Sequence, residues 1–166
     1  MKLIEVSTET HVLIIECLAR EIWVEHYDSI IGNQQVEYML DKFQSKQAVV
    51  AQIKSGIVYF LIDVNNEYVG YIALQPRRDE LFLSKIYLKS LYRSKGYGKS
   101  AVRFAEKFAR ERDLQKIVLT VNKNNMNSIK AYKKFGFKTV GTLVQDIGGG
   151  FVMDDFKMEK TLCVVQ

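Results

Sequence analysis

The segment Arg93-Ser94-Lys95-Gly96-Tyr97-Gly98-Lys99-Ser100-Ala101 stands between a β-type run, Leu81 to Leu88, and a helical pattern of Ala101, Val102, Phe104, Ala105, Phe108 and Ala109. A strand, a glycine loop and a helix in that order constrain the fold more than any other stretch. They place a helix N-terminus at the end of a sheet strand. Glycines let the backbone approach a ligand closely, and the first amides of a helix have no partner within it. The junction therefore suits an anion of the phosphate type. Charges at exposed helix ends are worth about 0.3–1 kcal/mol, so Lys95 and Lys99 add attraction to the amide cradle.

The rest of the chain surrounds this junction with alternating periods. Residues 2–6 read as a strand, and Ser7-Thr8-Glu9-Thr10 as a helix start. Val12, Ile15, Leu18, Ala19, Ile22 and Trp23 then recur at helical spacing, and Tyr27 to Asn33 breaks the pattern. A second helical stretch passes through Val36, Met39, Leu40 and Phe43, with another around Ala48 to Ile53. Runs at 57–62 and 68–74 flank Asn65-Asn66, a hairpin-type turn. After the strand at 81–88 and its helix come a strand at 116–121 and a short helix from Ser128 to Lys134. Two last strands, about 137–145 and 151–160, surround Gly148-Gly149-Gly150. An antiparallel meander followed by β-α-β crossovers predicts an α/β fold, a mixed sheet with helices on both faces. We expect one domain over 1–160, with 161–166 as a C-terminal tail.

Composition narrows the partners. The 166 residues are 48% hydrophobic and 26% charged, enough for one core without metal or disulfide staples. Cys17 and Cys163 are too few and too far apart for a zinc site or a disulfide scaffold, so free thiols in a cytoplasmic setting are expected, and no metal. No apolar run has the length of a signal peptide or a membrane span. Cys163-Val164-Val165-Gln166 matches a prenylation pattern but lacks an upstream polybasic cluster, and we take it as a chance tail. The formal charge of +5 admits nucleic acid, a membrane surface or an anionic small molecule. Basic residues interspersed with acids, and no recognition motif, argue against nucleic acid.

Three fingerprints overlap in the glycine loop. Gly98-Lys99-Ser100 ends like a P-loop, which needs glycine where Arg93 stands. Gly96-x-Gly98-x-x-Ala101 meets the relaxed dinucleotide pattern. However, a polar stretch separates it from its strand, and no acidic residue closes the strand that ends in Val121-Asn122. The third uses the whole segment. Ile86-Tyr87-Leu88 followed by Arg93-x-x-Gly96-x-Gly98 resembles the acetyl-coenzyme A signature of the GNAT superfamily of N-acetyltransferases. A second block, Asn125-x-x-Ser128-Ile129-x-x-Tyr132-x-Lys134-x-Gly136-Phe137, is similar to another element of that family, with Ser128 in place of the usual alanine.

The resemblance implies the GNAT fold, its sheet splayed beside the cofactor, and acetyl-coenzyme A as acyl donor. It gives the Ile86 N–H to the thioester carbonyl, and Tyr87 and Leu88 to the pantetheine arm. The amides from Ser94 through Lys95, Gly96, Tyr97, Gly98 and Lys99, beside Arg93, wrap the pyrophosphate. Asn125, Ser128 and Lys134 complete the cofactor set. Plainer roles stand beside these: core strand for Ile86 and Leu88, a solvated basic face for the loop, a helix N-cap for Asn125, an exposed lysine for Lys134. Tyr132 is implied as the general acid to the leaving thiolate, or else packs. No residue is marked as the base: Phe82 stands where some relatives carry a glutamate, and Glu80, Glu25, His26, Tyr27, Asp28 or a water relay remain. By the same resemblance the acceptor segments are about 25–39 and 145–155. Glu25, Tyr27, Asp28, Glu37, Tyr38, Asp146, Asp154 and Asp155, with Glu80, suit a cationic small-molecule amine of the polyamine kind. Peptide amines, and an acyl-coenzyme A-binding module without turnover, are the alternatives. Relatives often pair as homodimers through the C-terminal strands.

Overall fold

The computed structural model describes residues 1–162. It contains strands β1 (Lys2–Glu5), β2 (Val58–Val64), β3 (Glu67–Pro76), β4 (Glu80–Leu88), β5 (Lys116–Asn122), β6 (Lys138–Gly148) and β7 (Phe151–Thr161). The helices are α1 (Glu9–Ile31), α2 (Asn33–Met39), α3 (Lys46–Lys54), α4 (Tyr97–Arg110) and α5 (Met126–Lys134). The strands are hydrogen-bonded in the order β1-β2-β3-β4-β5-β7-β6, antiparallel at β1–β2, β2–β3, β5–β7 and β6–β7 and parallel at β4–β5. The mixed α/β expectation holds. The described residues group into two compact units, one of Met1–Gln75 with Lys85–Ala101, the other of Pro76–Ser84 with the residues from Val102 onward.

In the first unit, α1 forms because its apolar stripe has somewhere to go: Val12, Ile15, Leu18, Ala19, Ile22 and Trp23 are all buried. Thr8 caps it by accepting the His11 N–H. The break expected at Tyr27 to Asn33 is misplaced: the helix runs on through Ile31 and stops at Gly32, whose φ of 84° ends it. The second helical stretch divides into α2 and a π-helical turn, Leu40–Gln44, before Ser45 caps α3 by accepting the Ala48 N–H. Asn65 and Asn66 both lie at positive φ, which suits the tight hairpin between β2 and β3.

In the second unit, Leu81 of β4, Ile117 and Leu119 of β5, Met158 of β7 and Ala105 and Ala109 of α4 are fully or almost fully buried. β6 is exposed from Lys138 through Asp146. β7 runs through Thr161, and the buried Leu162 donates its N–H to the Gln115 carbonyl. The tail motif that begins at Cys163 lies outside the described residues. Among those residues no helix is long and apolar enough to cross a membrane, and no group of His, Cys, Asp and Glu could hold a metal ion.

Candidate functional site

In the first unit the end of β4 is shaped by a glycine that the sequence reading passed over. A Cβ on Gly70 of β3 would lie 2.1 Å from the Tyr87 carbonyl oxygen and 3.1 Å from the Leu88 Cα. Only glycine lets β3 approach the strand this closely. Beyond Leu88, the Lys89 N–H donates to the Val69 carbonyl, and Ser90–Tyr92 form a single 3-10 turn. The β4–β5 register runs from Glu80↔Lys116 to Phe82↔Val118, while β4 itself continues to Leu88 and β5 to Asn122.

Arg93 is not part of a solvated face. It is half-buried, and its Nε donates to the Leu88 carbonyl at 2.9 Å, with Nη1 3.2 Å from His26 Nδ1. It thus ties the start of the loop back to the strand that precedes it. Ser94 at φ 59° and Gly96 at φ 86° then turn the backbone through the left-handed region into α4. The first bond into the helix joins the Ser100 N–H to the Gly96 carbonyl, so the preceding amides are the ones a helix N-terminus leaves over. Ser94, Lys95, Gly96 and Lys99 are exposed, and a Cβ on Gly96 would meet nothing within 4 Å. The Lys95 ammonium lies 5.6 Å from the Tyr92 ring centroid. Exposed backbone donors, two cations and no acidic residue in the first turn of α4 are a donor set that fits a pyrophosphate.

Tyr87 belongs to an aromatic run. Trp23 and Tyr27 have centroids 4.6 Å apart, Trp23 and Tyr87 5.5 Å, and Tyr71 and Tyr87 5.3 Å. Tyr27 is half-buried at this run's edge, whereas Glu25 and Asp28 on the same helix are exposed. Glu37 is held by Arg20 at 3.0 Å, and the Lys42 ammonium donates to the Tyr38 hydroxyl at 3.2 Å. Lys85 is a second residue that pattern reading missed. It is a buried lysine in a run of apolar neighbours, and nothing in the local sequence separates it from a solvated one.

In the second unit, Asn125 is buried and caps α5, its Oδ1 accepting the Ser128 N–H at 3.3 Å. The Tyr132 ring is half-buried and meets Phe137 edge-on at 5.8 Å, while Lys134 is exposed in the last turn. Glu80 begins β4 and pairs with Arg77 and with Lys116, each at 3.7 Å. Phe82 lies under the Arg77 guanidinium, 4.1 Å from its ring centroid. Asp146 is exposed and accepts the Gly148 N–H, and Asp154 pairs with Lys123. Asp155 is buried in β7, opposite Asn122. Burial raises its carboxyl to about 6, against a Thr120 hydrogen bond that pulls the other way.

Over residues 19–137 the chain matches the acetyltransferase (GNAT) family. It is 28% identical over 148 residues to the spermidine N(1)-acetyltransferase of Thermoplasma acidophilum, covering 86% of each chain. Among solved structures it is similar to the PaiA N-acetyltransferase of Thermoplasma acidophilum in complex with coenzyme A, at 26% identity and a TM-score of 0.79, over 97% of this chain and 99% of that one. The ribosomal-protein-alanine N-acetyltransferase of Brucella melitensis shares the fold at 22% identity and a TM-score of 0.68, over 98% of this chain and all of that one, a coverage of 100%.

Proposed function

The chain belongs to the acetyltransferase (GNAT) family, and from that premise we propose that it moves an acetyl group onto the primary amine of a small cation of the polyamine kind. The enzyme is an acetyl-coenzyme A-dependent acetyltransferase. Its donor supplies an acyl thioester, with a carbonyl carbon open to an amine and a sulfur able to leave. The rest is the work of this chain's residues.

The observation that carries the cofactor half is the loop from Arg93 to Lys99, whose left-handed Ser94 and Gly96 present backbone amides and two lysines on an exposed helix start. The Ile86 N–H is the donor for the carbonyl oxygen as charge develops on it, a role worth about 2.7–4 kcal/mol in acyl transfer. Arg93 fixes that strand's exit. Tyr132 gives its proton to the departing sulfur. We propose a single acetyltransferase domain over residues 1–160, a reading supported by the family match over residues 19–137.

The acceptor half is supported by the likeness to a spermidine enzyme over most of both chains. Half-buried Tyr27, Tyr38 and exposed Glu25 and Asp28 offer rings and carboxylates to a cation. Use of acetyl-coenzyme A and an exposed free Cys17 fit a cytoplasmic enzyme. The exposed edge strand β6, with Val140, Leu143 and Val144 open to solvent, is the surface on which a homodimer would form. The acceptor class is tested by comparing kcat/KM for spermidine, spermine, aliphatic monoamines and an alanyl peptide. Polyamines preferred over the peptide support the reading, and the reverse order replaces it with a peptide N-acetyltransferase.

A further inference from the structure

The reaction must dispose of a proton from the incoming ammonium, and no carboxylate takes that part in the sequence pattern. The first unit holds an unassigned base. Lys85 on β4 is 7% exposed, and its Nζ donates to Gln52 Oε1 at 2.6 Å. The Tyr59 hydroxyl donates to the same oxygen at 2.6 Å, and the lysine nitrogen lies 5.3 Å from the Tyr59 ring centroid. The amide is held in this orientation because Gln52 Nε2 donates to the Phe43 carbonyl at 3.0 Å, within the π-helical turn. Such widened turns recur at functional sites.

A buried ammonium without a counter-charge is costly, and such a group neutralises instead. Among the described residues no carboxylate pairs with Lys85, and burial lowers its amine to about 8. The titratable group it lies against is Tyr59 on β2, whose ring in turn stacks on that of Tyr71 on β3 at 6.4 Å. Burial raises both hydroxyls, so both stay neutral through the range in which Lys85 titrates. From α3 the contact is the uncharged Gln52. A neutral Lys85 that gives one N–H to Gln52 keeps a lone pair for an incoming proton.

Position supports the role. Lys85 directly precedes Ile86, whose N–H serves the carbonyl, and successive side chains leave a strand on opposite faces. Tyr87, two residues further along and so on the same side of β4 as Lys85, has its ring centroid 6.4 Å from that of Tyr27, in the segment proposed for the acceptor.

We infer that Lys85, oriented by Gln52, is the proton acceptor for the incoming amine, an inference that rests on the proposed transfer to a small cation. Its ε-amine takes one proton from the acceptor's ammonium, and the freed lone pair on that nitrogen forms the C–N bond as the C–S bond breaks. Lys85 returns its proton to water. The second proton, shed by the nitrogen as it becomes an amide, replaces the one that Tyr132 gives to the thiolate.

The test is the pH dependence of kcat/KM with spermidine for the wild type, Lys85→Met, Lys85→Arg and Gln52→Leu, with coenzyme A-induced thermal shift as a check on folding. In the wild type the rate rises with pH through an inflection near 8. Lys85→Met and Lys85→Arg lose that inflection and fall about 10²–10⁴-fold. Gln52→Leu moves it to lower pH, because the ammonium loses its acceptor. If the lysine variants fail to bind coenzyme A, the direction of the Gln52→Leu shift decides. An inflection that stays in place in Gln52→Leu, or survives in Lys85→Met, overturns the assignment and leaves the acetyltransferase reading intact. A wild type inert toward every amine overturns both.

Discussion

Tyr132 and Asp155 are side chains of one unit whose environments ask different things of them. Tyr132 packs its ring edge-on against Phe137. Tyr132→Phe keeps that packing and removes the proton, so kcat should fall by about 10²–10⁴-fold while coenzyme A affinity stays nearly constant. Steady-state kinetics paired with calorimetric titration of coenzyme A would show this, and an unchanged kcat with chemistry rate-limiting would retire the tyrosine. Asp155 is a matter of stability. Its folded-state value near 6 exceeds the ordinary 3.8, so the folded protein holds a proton that the unfolded chain has released between these values. Stability is therefore lost as pH rises from about 4 to about 6, and the cost persists above that window. Asp155→Asn should flatten this decline and stabilise the protein at neutral pH, read from urea midpoints across the range.

At the scale of elements, β4 and its surroundings decide where the backbone donors point. Its hydrophobic alternation, the glycine loop after it and the α4 stripe were all plain in the sequence, because each is a local pattern with a fixed period. The capping role of Asn125 was legible too, since its spacing to Ser128 is that of an N-cap. Gly70 was not. Its meaning depends on a carbonyl some way along the chain, and a lone glycine in a strand does not say what approaches it. The α1 terminus was misread for a similar reason. Tyr27 to Asn33 holds the turn-forming Asp28, Ser29, Gly32 and Asn33, and of these only Gly32 ends the helix. The Gly70→Ala methyl would meet the Tyr87 carbonyl at 2.1 Å, so β4 must shift beside the Ile86 amide. We expect a loss of about 1–3 kcal/mol in stability together with a drop in kcat. A variant with wild-type melting and turnover would show that the close approach is dispensable.

For the whole molecule, charge was a poor guide until it was placed. Behind the net +5, Arg93 braces a loop, and Lys95 and Lys99 stand at an exposed helix start. The acids expected to greet an amine divide as well. Glu37, Glu80 and Asp154 are engaged with Arg20, Arg77 and Lys116, and Lys123 respectively, while Glu25 and Asp28 are exposed. The pairs of Glu37 with Arg20, Glu80 with Lys116 and Asp154 with Lys123 join residues far apart in the chain and are invisible to a linear pattern. Coenzyme A should stabilise the folded protein by about 2.7 kcal/mol at a hundred times its Kd, seen as a rise in melting temperature, and Gly96→Ala should blunt that rise by straining the loop at its left-handed turn. Acetyl transfer to a small cationic amine is tested by incubating the protein with acetyl-coenzyme A and spermidine, following free thiol and product mass together. One thiol should be released for each acetyl group gained by the amine. Thermal stabilisation by the cofactor with no thiol released, for spermidine or any other small amine, would contradict it.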